Sequence, residues 1–124
     1  MAQLSKYDAL NSILASLASS SGDIEASAVV STDGLLMASN FPANMDEDRM
    51  AAMAAALLAI GERTSQELER GNLEQVFVRG DNGFIVMMAA GEDGVLTVLC
   101  SDRAKMGLIF LDMKRAAAEI GKIL

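Results

Sequence analysis

The sequence predicts an α+β three-layer sandwich, built on one five-stranded antiparallel sheet with helices on both faces. Three observations lead there. The hydrophobic period changes along the chain in the order helix, strand, strand, helix, strand, strand, strand, helix. Glycine-containing turns at Asp33-Gly34, Asp81-Asn82-Gly83 and Gly91-Glu92-Asp93-Gly94 separate consecutive strands, and connections this short impose antiparallel pairing. Residues 84–90 (FIVMMAA) and 95–100 (VLTVLC) are apolar almost throughout, as strands covered on both faces are.

The first helix carries Leu4, Tyr7, Leu10, Leu14 and Leu17 at spacings of three and four, with Ile13 beside them. Ser5 and Asp8 resemble a capping box, and Ser19-Ser20-Ser21-Gly22 is expected to end the helix with Gly22 as a left-handed cap. Residues 24–31 and 35–39 then form a hairpin about Asp33-Gly34, a pair suited to the positive φ angles of a two-residue turn. Pro42 disfavours helix at Phe41, so residues 40–44 are a loop. Asp46 is placed to cap the second helix, with Met45 and Met50 as a hydrophobic staple, and Gly71 is expected to stop it after Arg70.

That second helix is apolar on more than one side. Its first half surrounds Met50, Met53, Leu57 and Ile60 with alanine, and its second half is polar. One side can lie on its own sheet; the other calls for a second covering surface, which we read as another copy of the chain. Residues 73–79 (LEQVFVR) mix polar and apolar side chains, as an edge strand does. The last helix has the stripe Met106, Ile109, Phe110, Met113, Ala117, Ile120 and Leu124, with Asp102 as its expected cap and Lys122 complementing the dipole at its end.

Composition excludes several classes of function. At 124 residues the chain is read as a single domain, 1–124. Area scaling buries about two-thirds of its extended surface, enough for one core. Only 4% of residues are aromatic, so that core is aliphatic, with nine methionines to fill irregular gaps. A net charge of −7 without a basic stripe argues against nucleic acid. There is no basic amphipathic helix for a membrane surface, and the longest apolar run, residues 50–60, is too short to span a bilayer. No signal-peptide pattern opens the chain and the lone Cys100 has no partner, so a cytoplasmic location without membrane insertion is expected.

The chain has no histidine, which removes Ser-His-Asp triads, Cys-His dyads and histidine metal ligands together. Cys100 lies within an apolar strand and reads as a small buried hydrophobe. Gly91-Glu92-Asp93-Gly94 lacks the lysine and the helix of a phosphate-binding loop. The acidic pairs Asp46/Asp48 and Glu67/Glu69 fit a helix N-terminus and a solvated face better than acid–base chemistry. No catalytic residue, cofactor or metal ligand is expected, and the chain is not read as an enzyme.

Three stretches together resemble the Roadblock dynein-light-chain family, whose bacterial members include MglB-type regulators of Ras-like GTPases. They are the hairpin AVVSTDGLLMAS, the Ala/Met helix entered from residues 40–44, and the meander LEQVFVRGDNGFIVMMAAGEDGVLTVLCS leading into the last helix. The likeness spans residues 4–124 and implies the Roadblock-like, profilin-like version of the sandwich. It further implies dimerisation through the middle helix and the following edge strand, here residues 50–70 and 73–79. The interface candidates are then Met53, Ala56, Leu57, Ile60, Val76, Phe77 and Val78. The partner-binding residues are unknown at this level. The function implied is a dimeric, non-catalytic binding module that docks on a Ras-like small GTPase and regulates its nucleotide cycle or localisation. The alternative is a scaffold subunit of a signalling or motor complex with no effect on GTP hydrolysis. Of the six arginines, Arg79 at a strand end beside a turn is the best placed to act as a finger in trans, against the plainer reading of a solvated charge.

Overall fold

The computed structural model describes residues 5–124, so Leu4 of the predicted first stripe lies outside the described residues. The elements run α1 (Lys6–Ser20), β1 (Ile24–Ser31), β2 (Leu36–Asn40), α2 (Glu47–Glu67), β3 (Gln75–Gly80), β4 (Gly83–Ala90), β5 (Gly94–Ser101) and α3 (Met106–Ile123). The strands form one sheet in the order β2-β1-β5-β4-β3, antiparallel at every step. α1 and α3 pack together on one face of it and α2 lies on the other. This is the predicted α+β three-layer sandwich.

The helix ends depart from the sequence reading for local reasons. Ser5 does cap α1, its hydroxyl accepting from the Asp8 amide at 3.1 Å. At the other end Gly22 is not left-handed; Ser21 turns extended and its hydroxyl accepts from the Asp23 amide. The Ser19 and Ser20 hydroxyls bond back to the Ala15 and Leu17 carbonyls, so side chains do the work expected of a glycine cap. Leu10, Leu14 and Leu17 are buried as predicted, whereas Tyr7 is exposed.

Asp46 caps α2 by accepting from the Arg49 amide at 3.1 Å. The helix ends at Glu67 rather than Arg70, because the chain turns left-handed at Glu69 and the Glu69 and Arg70 amides donate back to the Gln66 and Ser65 carbonyls. Glu69 is the first left-handed residue of the exit and Gly71 the second. Asp102 does not cap α3: Lys105 occupies that position without a side-chain bond. The approach is held instead by Ser101, whose amide donates to the Asp23 carbonyl and whose hydroxyl donates to the Asp23 carboxylate.

The first hairpin turn has three residues rather than two. The Gly34 amide bonds to the Ser31 carbonyl and the Ser31 amide to the Leu35 carbonyl. Gly34 alone takes a positive φ, +89°, while Asp33 does not. This longer turn pushes Leu35 out of β2 into solvent.

The larger core lies between the sheet and the α1/α3 layer. It joins Leu10, Leu14 and Leu17 of α1 to Val29, Val86, Leu96 and Val98 of the sheet and to Ile109, Met113 and Ile120 of α3. The α2 side is built on smaller groups: Ala54 and Leu58 pack on Met87 and Val95, and Ala51 packs on Ala28 and Val30. The methionines divide between roles, with Met87, Met88 and Met113 buried and Met53 exposed.

Candidate partner interface

One helix cannot cover five strands. α2 crosses its face of the sheet with Ala51, Ala54 and Leu58 inward. Its C-terminal half rides close to β3, where a Cβ on Gly61 would lie 2.9 Å from Val76 Cγ2 and 3.1 Å from Leu73 Cδ2. Glycine is therefore needed at 61 for space, not for backbone freedom. Beside this footprint the sheet stays partly open. A groove of about 420 Å³ runs between Met53 and Leu57 of α2 and a floor of Ile85, Met87, Thr97 and Leu99, with Met45, Arg49 and Met50 at its head.

The predicted interface residues fall into three places. Met53 (58% exposed) and Ile60 (62% exposed) lie on the uncovered side of α2, with Leu57 half-buried in the groove wall and Ala56 exposed beyond them. Val76 and Val78 of β3 pair with Met87 and Ile85 of β4 and share the α2 face; Val76 is half-buried and Val78 exposed. Phe77 is separated from the rest. Strand alternation sends it to the α3 face, where its ring packs 5.3 Å from Phe84 and edge-on to Phe110 at 6.3 Å. The contiguous apolar surface thus joins the α2 candidates to Val78, and Phe77 marks the other side of the same edge.

Sequence reasoning missed Gly61, Ile85, Thr97 and Leu99. The uniform run FIVMMAA conceals which alternate residues face α2, and nothing local reports how far a helix's footprint reaches. The one available signal was Gly61 itself, a glycine inside a strongly helical run.

Among the described residues β3 has no strand beyond it, as the edge reading predicted. Its strand is exposed along nearly its whole length. Arg79 stands next to the β3–β4 turn and is exposed. The described residues contain one ion pair, Arg63 with Glu67 at 2.9 Å on exposed α2.

Cys100 is buried, and burial first, then Glu25 and Asp23, push its thiol up to about 11, so it stays protonated at neutral pH. Among the described residues no group of histidine, cysteine, aspartate and glutamate is arranged to hold a metal ion. No helix among them is long and apolar enough to cross a membrane. Thr97 and Ser27 are buried with hydroxyls that have no partner among the described residues, and Thr97 lies in the groove floor.

Known proteins share this architecture. The chain is similar to Myxococcus xanthus MglB, with a TM-score of 0.88 at 22% identity over 99% of this chain and 92% of that one. A structure described as MglB with tetrameric arrangement gives 0.85 at 18% identity, covering 99% and 93%. At such identities the likeness is one of fold. In sequence, the uncharacterised Methanocaldococcus jannaschii protein MJ1340 is 43% identical over 97 residues, 78% of this chain and 84% of its own length. The model of the Roadblock/LC7 domain matches residues 10–100, which takes in α1 from Leu10, α2 and the sheet through Cys100. By that match and by the order of its helices and strands, the chain belongs to the Roadblock/LC7 domain family.

Proposed function

We propose that the protein is a dimeric binding module that docks on a Ras-like small GTPase and regulates its nucleotide cycle or its placement. The observation that carries the reading is the half-covered α2 face. Met53 and Leu57 line an apolar groove, and with the exposed Ile60 they lie on the same side of the sheet as Val78 of the free edge strand. A second copy meeting this surface would shield the edge and lengthen the helical layer into a platform. The fold it shares with MglB supports the same reading.

The chemistry would belong to the GTPase. A docked module raises hydrolysis by ordering the GTPase's own switch loops, which lowers the entropic part of the barrier. Arg79 is not needed as a finger in that scheme. Arg79→Ala is expected to leave stimulated hydrolysis within about two-fold, where removal of an arginine finger costs about 10³-fold or more.

The test is affinity capture from an extract of the source cell, run with GTP and with GDP and read by mass spectrometry, alongside light scattering of the purified protein. A Ras-like GTPase held in one nucleotide state supports the regulator. Recovery of a signalling or motor complex regardless of nucleotide replaces it with the scaffold reading. A monomer at micromolar concentration removes the dimer. If the wild type is a dimer, Ala56→Glu and Val78→Glu should weaken it.

A further inference from the structure

The two helices that share one face of the sheet turn different surfaces to solvent. Past Asp8, α1 shows only uncharged groups there: Asn11, Ser12, Ala15, Ser16 and Ser19 are exposed. α3 is built otherwise. Ile109, Met113 and Ile120 are on its buried side. With 3.6 residues per turn, the opposite arc holds Leu108, Leu111, Lys114, Arg115, Ala118 and Lys122, every one of them exposed. Leu108 is 58% exposed and Leu111 46%, so two large apolar side chains lie among three cations.

Charge is sorted around that arc. Residues 102–124 carry five basic side chains and three acidic ones, in a chain whose net charge is −7. Two of the acids, Asp112 and Glu119, turn toward α1 and line the shallow cleft between the helices, which Arg115 also borders. Arg103 and Lys105 precede the leucines, Lys114 and Arg115 follow them, and all four are exposed. Among the described residues none of the four is in an ion pair; the pair that exists lies on α2. The start of α3 has the same polarity. α1 and α2 each begin with a side-chain cap and an acidic residue in the first turn. α3 begins at Lys105, with no side-chain cap and no acid. Cations there oppose the helix dipole, so a positive field is left that the chain's own residues do not answer.

We infer that the outer arc of α3 docks an acidic helical segment of a protein partner. Apolar side chains in its middle turn would cover Leu108 and Leu111. Carboxylates on either side would meet Arg103 and Lys105 at one end and Lys114 and Arg115 at the other. Charge complementarity selects this occupant, and its first carboxylates would supply the acid that the start of α3 lacks. Lys105 and Lys114 stand about 14 Å apart along the axis, which a partner helix of about three turns spans. An anionic bilayer fits less well. The other large apolar side chains of α3 are taken up by the core, which leaves a membrane two leucines, and the net charge of the chain opposes its approach. The surface lies across the sheet from α2, so it is separate from the dimer and the GTPase docking proposed above and stands or falls without them.

The probe is a synthetic helical peptide of about 16 residues, with leucines in its middle turn and glutamates in the turns on either side. Its control has the same composition with the leucines dispersed. Fluorescence anisotropy measures binding and amide NMR shifts locate it. The first peptide is expected to bind, to shift residues 105–118, and to bind less well as salt is added. Lys114→Glu with Arg115→Glu removes two exposed pairs and adds two repulsions, and should weaken binding at least about ten-fold. Leu108→Ala with Leu111→Ala should weaken it about five-fold or more. These side chains are exposed, and circular dichroism checks that both variants keep the fold. No binding, equal binding of the control peptide, unchanged affinity in either variant, or shifts confined to α2 overturns the assignment. Binding to phosphatidylserine vesicles that the charge variant loses, without binding of the peptide, overturns it in favour of a membrane surface.

Discussion

The two faces of the sheet are built to different ends. On one, α1 and α3 lie side by side and close over large side chains, with Leu10, Leu14, Val29, Leu96, Ile109, Met113 and Ile120 all at 1% exposure or less. On the other, α2 lies alone on Ala51, Ala54, Leu58 and Gly61, three of them small. Small side chains let that helix sit close to the strands, but a close helix with small contacts has a narrow footprint. Ile85 and Leu99 lie outside it and remain half-buried. The closed face supplies most of the burial that holds the chain folded; the open face leaves apolar area uncovered, and the proposed dimer rests on that area. The composition of a helix's inner side thus decides how much of a sheet is left uncovered.

Paired truncations test that division most sharply. Met113→Ala on the closed face removes a fully buried side chain and should cost ~2–5 kcal/mol. Met53→Ala beside the groove removes a side chain that is 58% exposed and should change the stability of the single chain by no more than ~0.5 kcal/mol. Urea denaturation at dilute concentration compares them. Equal losses would mean that the open face is part of the folding core, and the contrast between faces would fall.

Much of this contrast was legible in the sequence. A switch of hydrophobic period from helical to alternating is a local property, so the element order, the antiparallel sheet and the edge position of β3 followed from it. The excess of apolar residues on α2 also pointed to a second covering surface, and Met53 and Ile60 are exposed as that requires. Features set by competition between nearby groups were harder to see. Asp102 has a capping side chain, yet the chain is tied back to Asp23 through Ser101 and the helix begins three residues later than expected. Asp33-Gly34 reads as a two-residue turn, but the Ser31 hydroxyl accepts the Leu35 amide and a third residue joins the loop. Phe77 shows the limit most plainly. Its place in an edge strand was readable, while the face it takes depends on the register with β4.

The contact that seats α2 can be broken directly. Gly61→Ala adds a methyl 2.9 Å from Val76 Cγ2 and 3.1 Å from Leu73 Cδ2, which forces the helix off β3 or displaces the valine. Overpacking costs ~1–3 kcal/mol, and the better helix propensity of alanine returns ~1 kcal/mol. A net loss of about 1 kcal/mol in thermal or urea unfolding is expected. A gain in stability would show that α2 is not held against the edge strand, and its narrow footprint would need another cause.

The smallest effect concerns a polar atom on the otherwise apolar floor. Thr97 is fully buried on the open face, where it belongs to the groove floor, and its hydroxyl is unpartnered among the described residues. An unmade hydrogen bond in such a place costs the desolvation of the hydroxyl, and exchange for a methyl of similar shape removes that cost. Thr97→Val should therefore stabilise the chain by about 1 kcal/mol or less. Ser27, the other unpartnered hydroxyl, is the control, because it pairs in register with Val98 and so belongs to the closed face. Ser27→Ala relieves the same kind of burden away from the α2 groove. If both changes stabilise alike, the hydroxyls are equal burdens of folding and neither face needs them. If Ser27→Ala stabilises and Thr97→Val destabilises, the Thr97 hydroxyl has a partner in solution, and the open face is hydrated at its floor where the closed face is dry.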